Sequence, residues 1–394
     1  MLPGYYEFFS PVKIISGNKA LDNLPFELEQ LGVQRPLIIT DVGVINAGLI
    51  RYVKSAFAGS CLIIGAVFDD VPSDSSTDVV HRAVEIFRKN QCDSLVAVGG
   101  GSPMDTAKAA NIVLSENSND LMKFEGADRL KAPMKPLIVV PTTAGTGSEV
   151  TFVAVIKDKK KKVKMSFASH LLFPKVAIID PRMTRTMPPF ITAATGMDAL
   201  THAMEAYTCI QKNPISDAYA FAAIQLIATN LIRAVTDGKN LEARMAMANA
   251  STMAGIAFSN SMVGMVHSLG HAAGALCNLH HGVAMSIFLP FGLEYNLTKT
   301  RPFVSQLLLP FGGREEFVRT DKNRQAERTI ALVRKYQKTL YELCGLPRSL
   351  KEAGVSETML EPIAQHAIND GSLIFNPEEL DYNDALAVLN QAYP

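Results

Sequence analysis

The pair Pro188-Pro189 divides this 394-residue chain into two stretches whose apolar residues follow different periods. Before it, the runs at 36–40, 61–67, 94–98 and 136–140 are apolar on consecutive positions rather than alternating. That is the pattern of parallel strands covered on both faces. Helical patterns at 19–31 and 77–90 lie between them, and the order β-α-β-α-β predicts a parallel sheet with ligands beyond the carboxyl ends of its strands. Residues 153–157 and 163–167 flank Asp158 and four lysines at 159–162, which reads as a hairpin with a solvated turn. After Pro189 the chain is rich in Ala, Met and Leu at helical spacing, as at 191–209, 215–235, 241–258 and 325–343. The length exceeds one ordinary core, so the division assigns an α/β domain to 1–188 and a helical domain to 189–394. The 16 methionines fall mostly on these helices, where they fill a core.

Charge and cysteine usage narrow the function classes. Thirty-eight basic residues balance 38 acidic ones, which removes the electrostatic case for nucleic acid or an anionic membrane as partner and favours a small molecule. The five cysteines (Cys61, Cys92, Cys209, Cys277, Cys344) are scattered and show no CxxC spacing, as in a reduced, cytoplasmic protein. Neither a signal-like N-terminus nor an uninterrupted apolar run long enough to span a bilayer is found.

Two loops carry the pattern of a nucleotide site. Gly99-Gly100-Gly101-Ser102-Pro103-Met104-Asp105 directly follows the run at 94–98 and opens a helix. Its glycines allow close backbone approach, Pro103 suits a first helical turn, and the helix N-terminus offers free N–H groups to a diphosphate. Met104 stands where a G-x-G-x-x-G pattern needs its third glycine. A second loop, Pro141 to Glu149, follows the run at 136–140, and Asp41 ends the run at 36–40. An acid at that place can bind an adenosine ribose and repel a 2′-phosphate, favouring NAD over NADP, although it also suits an ordinary turn.

The other chemical pattern is a histidine cluster. Asp198 and His202 stand at i and i+4 on one predicted helix, His267 and His271 repeat that spacing, and His280-His281 follows. A carboxylate with imidazoles suits Fe(II), Zn(II), Co(II) or Mn(II) without choosing among them. An aspartate inside an Ala/Leu/Met-rich helix is costly to bury unless it is paired or metal-bound. His81, His170 and His366 read instead as core histidines.

Together, Gly99 to Lys108, Gly196-Met197-Asp198-Ala199-Leu200-Thr201-His202, His267-Ser268-Leu269-Gly270-His271 and His281-Gly282-Val283 resemble the iron-containing (group III) alcohol dehydrogenases over nearly the whole chain. The resemblance implies a Rossmann-like N-terminal domain, an all-α C-terminal domain, and metal and cofactor in the cleft between them. It implies hydride transfer between NAD(H) and a small primary alcohol, diol or aldehyde, with Fe2+ (or Zn2+) as a Lewis acid stabilising alkoxide charge. Carried over by position, the metal ligands fall on Asp198, His202, His267 and His281, and His271 lies near metal and nicotinamide as a candidate proton relay. Cofactor contacts fall on Asp41, Gly99, Gly100, Gly101, Ser102, Pro103, Met104, Asp105, Thr142, Thr143, Thr146, Ser148, Lys164 and Met183. A homodimer is the assembly the resemblance implies.

The sequence departs from the family pattern at His280, in place of proline; at Ala272, also in place of proline; and at Asp74, in place of an asparagine near the adenosine site. A hydroxyacid–oxoacid transhydrogenase would use the same motifs with an acid-binding Arg or Lys. A polyol-phosphate dehydrogenase or a dehydroquinate-synthase-like lyase would need a basic phosphate pocket, and no Arg/Lys cluster accompanies the histidines.

Overall fold

The computed structural model describes residues 3–158 and 163–394. Two compact units are present: Ser10–Thr186, and Met187–Pro394 together with the N-terminal residues up to Phe9.

The first unit is built on strands β1 (Lys13–Ser16), β2 (Pro36–Ile39), β3 (Ala66–Phe68), β4 (Ser94–Gly99), β5 (Gly126–Ala127), β6 (Leu137–Pro141), β7 (Val153–Asp158), β8 (Val163–Ala168) and β9 (Val176–Ile179). Six of them form a parallel sheet in the order β1-β9-β6-β4-β2-β3. The central strands β2, β4, β6 and β9 are buried at every position, which is why their sequence shows no alternation. Helices α1 (Leu24–Gln30), α2 (Val42–Asn46), α3 (Ile50–Ala56), α4 (Thr77–Lys89) and α5 (Gly101–Ser115) complete the unit. The core under the sheet joins Leu21, Leu24, Leu28 and Val53 to Ile38, Val96, Val98, Ile138 and Ile178.

The strand expected at 61–67 forms only at Ala66–Phe68. A Cβ on Gly65 would stand 2.6 Å from Cys92 Sγ, so the chain is pressed against its neighbour there. Leu62 is buried without joining the ladder. The hairpin is present as β7 paired antiparallel with β8, and its lysine turn at 159–162 lies outside the described residues. Strands β1 and β9 were not expected from the sequence.

The second unit is helical: α6 (Pro189–Thr208), α7 (Pro214–Thr236), α8 (Leu241–Ser261), α9 (Met265–Cys277), α10 (His281–Tyr295), α11 (Leu297–Gly312), α12 (Arg314–Arg319), α13 (Gln325–Cys344), α14 (Leu360–Ala367) and α15 (Tyr382–Ala392). Helix α6 is the hub, packed by α7, α8 and α10, while α9 lies against α10 and α14. Helix α7 is long and apolar enough to cross a membrane by length and composition, yet it packs on α6, α8 and α11 within this bundle. The N-terminal residues join this unit through Phe9 N–H donating to Asn260 Oδ1 (2.7 Å) and Phe8 stacking on Tyr219.

Candidate metal centre

Helix α6 is buried from Thr192 to Thr208, so its polar side chains must find partners inside the bundle. Asp198, His202 and Glu205 are spaced i, i+4 and i+7, which puts them on one face. Helix α9 brings His267 to that face, and His281 arrives as the first residue of α10. One donor atom from each of Asp198, His202, His267 and His281 lies within 4.8 Å of the others. His281 Nε2 is 3.3 Å and His202 Nδ1 is 3.8 Å from Asp198 Oδ1.

The decisive detail is what these donors lack. Among the described residues, Asp198 Oδ1, His202 Nδ1 and His267 Nε2 are buried without a hydrogen-bond partner; His281 Nε2, 3.3 Å from Asp198 Oδ1, does not meet it in hydrogen-bond geometry. Each such group costs about 1–3 kcal/mol, and a charged one more, so three side by side is an arrangement a soluble core avoids. A divalent cation that takes N and O ligands satisfies all of them at once. The protonation states agree. Burial pushes His202 down to about 3 and His267 well below its ordinary value, which leaves neutral imidazoles with free lone pairs. Burial alone would raise Asp198; His202, His281 and His267 outweigh it and hold the carboxyl below the usual carboxylate range.

Around this cluster, Phe258 of α8 stacks on His202 with ring centroids 4.3 Å apart. His271, one turn beyond His267, stacks on His281 (5.6 Å) and is half exposed. Its Nδ1 lies 2.9 Å from Asp370 Oδ2. His280 is exposed and stands outside the donor cluster. The other histidines are not core residues: His170 and His366 are exposed and His81 is half-buried, because each falls on the outer side of its helix.

In the α/β unit, Gly99 at the end of β4 pairs in register with Pro141 at the end of β6, so the two small-residue loops leave the sheet side by side. Their packing excludes a side chain at Gly99, where a Cβ would stand 2.4 Å from Pro103, and is tight at Gly100, where it would stand 3.2 Å from Thr143 Oγ1. A Cβ on Gly101 would touch Thr146 at 3.4 Å. Asp105 accepts from Ser148 Oγ (3.1 Å) and from the Val155 N–H (3.1 Å), and Ser102 Oγ donates to the Ser73 carbonyl (3.2 Å). Pro103 and the wholly buried Met104 lie in the first turn of α5, and the Thr142 N–H donates to the Gly99 carbonyl. Asp41 caps α2, accepting from the Val44 N–H (2.9 Å), and its Oδ2 faces Gly99. Met183 is buried in the core under the sheet. Lys164 pairs with Lys157 in the hairpin ladder, and its side chain lies outside the described residues.

The family model for "Iron-containing alcohol dehydrogenase" matches residues 11–181, and that for "Fe-containing alcohol dehydrogenase family, C-terminal" matches residues 192–393. The chain belongs to the iron-containing alcohol dehydrogenases. It is 36% identical to the NAD-dependent methanol dehydrogenase of Bacillus methanolicus, over 98% of this chain and 99% of that one. It is also 36% identical to the 1,3-propanediol dehydrogenase of Klebsiella pneumoniae, again over 98% and 99%. A crystal structure of 1,3-propanediol oxidoreductase superposes with a TM-score of 0.94 at 35% identity, covering 99% of this chain and 100% of that one.

Three residues of this iron-containing alcohol dehydrogenase escaped the sequence reading. Glu205 lies 2.5 Å from His267 Nδ1 and accepts from the Val266 N–H (2.8 Å), and burial pushes it up to about 7. Its place seven residues after Asp198 was the available signal. Lys108, wholly buried in α5, donates to the carbonyls of Ser148 (2.8 Å) and Val153 (2.9 Å) and to Thr151 Oγ1 (3.0 Å), tying α5 to the end of the second loop and to the residues that follow it. Burial lowers it to about 8, against the pull of Asp105 and Glu149. Asp370, the partner of His271, sits 99 residues away and left no local sign.

Proposed function

We propose that this chain is a metal-dependent alcohol dehydrogenase and aldehyde reductase that moves hydride between NAD(H) and a small primary alcohol, diol or aldehyde. The observation that carries this reading is the convergence of three buried, unpartnered donors on Asp198, His202 and His267, with His281 completing the set. These four residues would hold Fe2+, with Zn2+ as a substitute. A divalent cation there supplies a Lewis acid toward the oxygen of an alcohol or carbonyl. NAD supplies the hydride acceptor.

The chain's own residues do the rest. The N-terminal N–H groups of α5 and the Gly99–Asp105 turn bind the diphosphate, with Thr142, Thr143, Thr146 and Ser148 on the facing loop. The free Oδ2 of Asp41 accepts from the adenosine ribose and disfavours a 2′-phosphate. Lys164 and Met183 are assigned to the same cofactor. His271 keeps Nδ1 on Asp370 and uses Nε2 to carry the proton between substrate oxygen and solvent. The relatives named for methanol and 1,3-propanediol support short alcohols as substrates. A cytoplasmic homodimer fits the unpaired cysteines and the exposed edge strand β1, where Ile14 is 40% exposed.

The test is an anaerobic assay of primary alcohols, diols and aldehydes with NAD(H) and NADP(H), using Fe(II)- and Zn(II)-loaded protein. Turnover with NAD(H) well above that with NADP(H) is expected. No turnover with any pair would overturn the assignment.

A further inference from the structure

The two ring nitrogens of His267 have different surroundings. Nε2 is buried without a partner on the side of the donor cluster, and Nδ1 faces Glu205 Oε2 at 2.5 Å. An imidazole carries its one neutral-state proton on one nitrogen or the other, and only the unprotonated nitrogen can bind a metal. A proton on Nε2 would be a buried N–H aimed at no acceptor. A proton on Nδ1 meets a carboxylate oxygen.

Glu205 is itself fixed. Its Oε1 accepts from the Val266 N–H (2.8 Å), and the neighbouring Met265 N–H donates to Asn376 Oδ1 (3.0 Å). Gly264, the residue before α9, offers no side-chain cap, so these two side chains satisfy the first N–H groups of the helix. Gly264 has to be a glycine, since a Cβ there would stand 2.6 Å from Asn376 Oδ1 and 3.2 Å from Glu205 Oε1. Asn376 is locked in turn by reciprocal hydrogen bonds with Asn296 (2.9 and 3.0 Å). Helix α6, which carries Asp198 and His202, thereby grips the start of the helix that carries His267.

We propose that Glu205 is the positioning residue of the metal centre: one carboxylate oxygen anchors the N-terminus of α9, and the other holds the His267 proton on Nδ1 so that Nε2 is reserved for the metal. This rests on the metal reading given above. Glu205→Gln is the discriminating variant. With its oxygen kept on the Val266 N–H, the amide turns an N–H toward His267 Nδ1, which drives the ring proton to Nε2 and blocks the ligand position. The change keeps size and the helix anchor and reverses one hydrogen bond.

The experiment measures Zn(II) and Co(II) affinity of the full chain by chelator competition, for wild type and Glu205→Gln. Selectively 15N-histidine-labelled, metal-free wild type is examined by NMR alongside. Glu205→Gln is expected to lose roughly 10–100-fold in metal affinity with its helical circular dichroism retained, and the wild-type His267 to carry its proton on Nδ1. Equal affinities, or a wild-type His267 protonated on Nε2, overturn the positioning role alone. A wild-type chain that binds neither metal overturns the metal reading and this inference with it. The NMR result decides the question even where the variant fails to fold.

Discussion

A Cβ placed on Gly282 would lie 2.3 Å from the carbonyl oxygen of Ala194, so α10 meets α6 backbone to backbone one residue after His281. The obstacle is helix backbone rather than the tip of a side chain, and it has no room to yield. Gly282→Ala gains at most about 1 kcal/mol of helix propensity and incurs overpacking of about 1–3 kcal/mol. Net destabilisation is expected, measured by urea unfolding. Metal affinity should fall further, because the displaced helix carries His281 away from Asp198.

Lys108 ties helix α5 to the end of the loop at 141–149 and to the residues that follow it. Lys108→Met keeps the length and leaves two carbonyls and two hydroxyls without this donor, a loss of about 1–3 kcal/mol. The KM for NAD should rise while metal content is unchanged. The pH dependence has a definite sign. Lys108 is lowered in the folded chain to about 8 from 10.5, so the unfolded chain binds the extra proton between those values. Its contribution to stability is full above 10.5 and is lost as pH falls through about 8. The stability gap between wild type and Lys108→Met should therefore widen as pH is raised across that window.

Metal binding should appear as folding stability, because the unpartnered donors exist together only in the folded bundle. At a thousandfold excess of free metal over Kd the gain is roughly 4 kcal/mol, read as a rise in unfolding midpoint. His202→Ala should abolish that metal-dependent rise. A midpoint in wild type that ignores metal would contradict the assignment of the four ligands.

His271 faces Asp370 with one nitrogen and stands half exposed beside His281. His271→Gln should lower turnover on the order of 10²-fold and flatten its pH profile, with metal content retained. Wild-type turnover in that variant would remove His271 from the proton path.

The sequence was most informative where physics acts locally. Strands β2, β4 and β6 were legible because burial on both faces writes an unbroken apolar run. The edge strand β1 was not, since three of its four residues are exposed and its pattern is that of a loop. The segment before β3 misled because Leu62 is buried by packing without hydrogen bonding in the sheet. Asp198 and His202 were legible as one helical turn. Glu205 with His267 is a contact across 62 residues, and Met265 with Asn376 one across 111, which no periodicity encodes. Phe9 joins Asn260 across 251 residues, so the return of the N-terminal residues to the helical unit was equally hidden.

Asp198, His202, His267 and His281 are the proposed holders of the metal on which alcohol oxidation depends. The most direct test of this assignment is metal content and NADH formation measured together on anaerobically iron-loaded wild type and His202→Ala, with 1,3-propanediol as substrate. One iron per chain and NADH formation are expected in wild type, with both lost in the variant. NADH formation by a His202→Ala chain that holds no metal would contradict it.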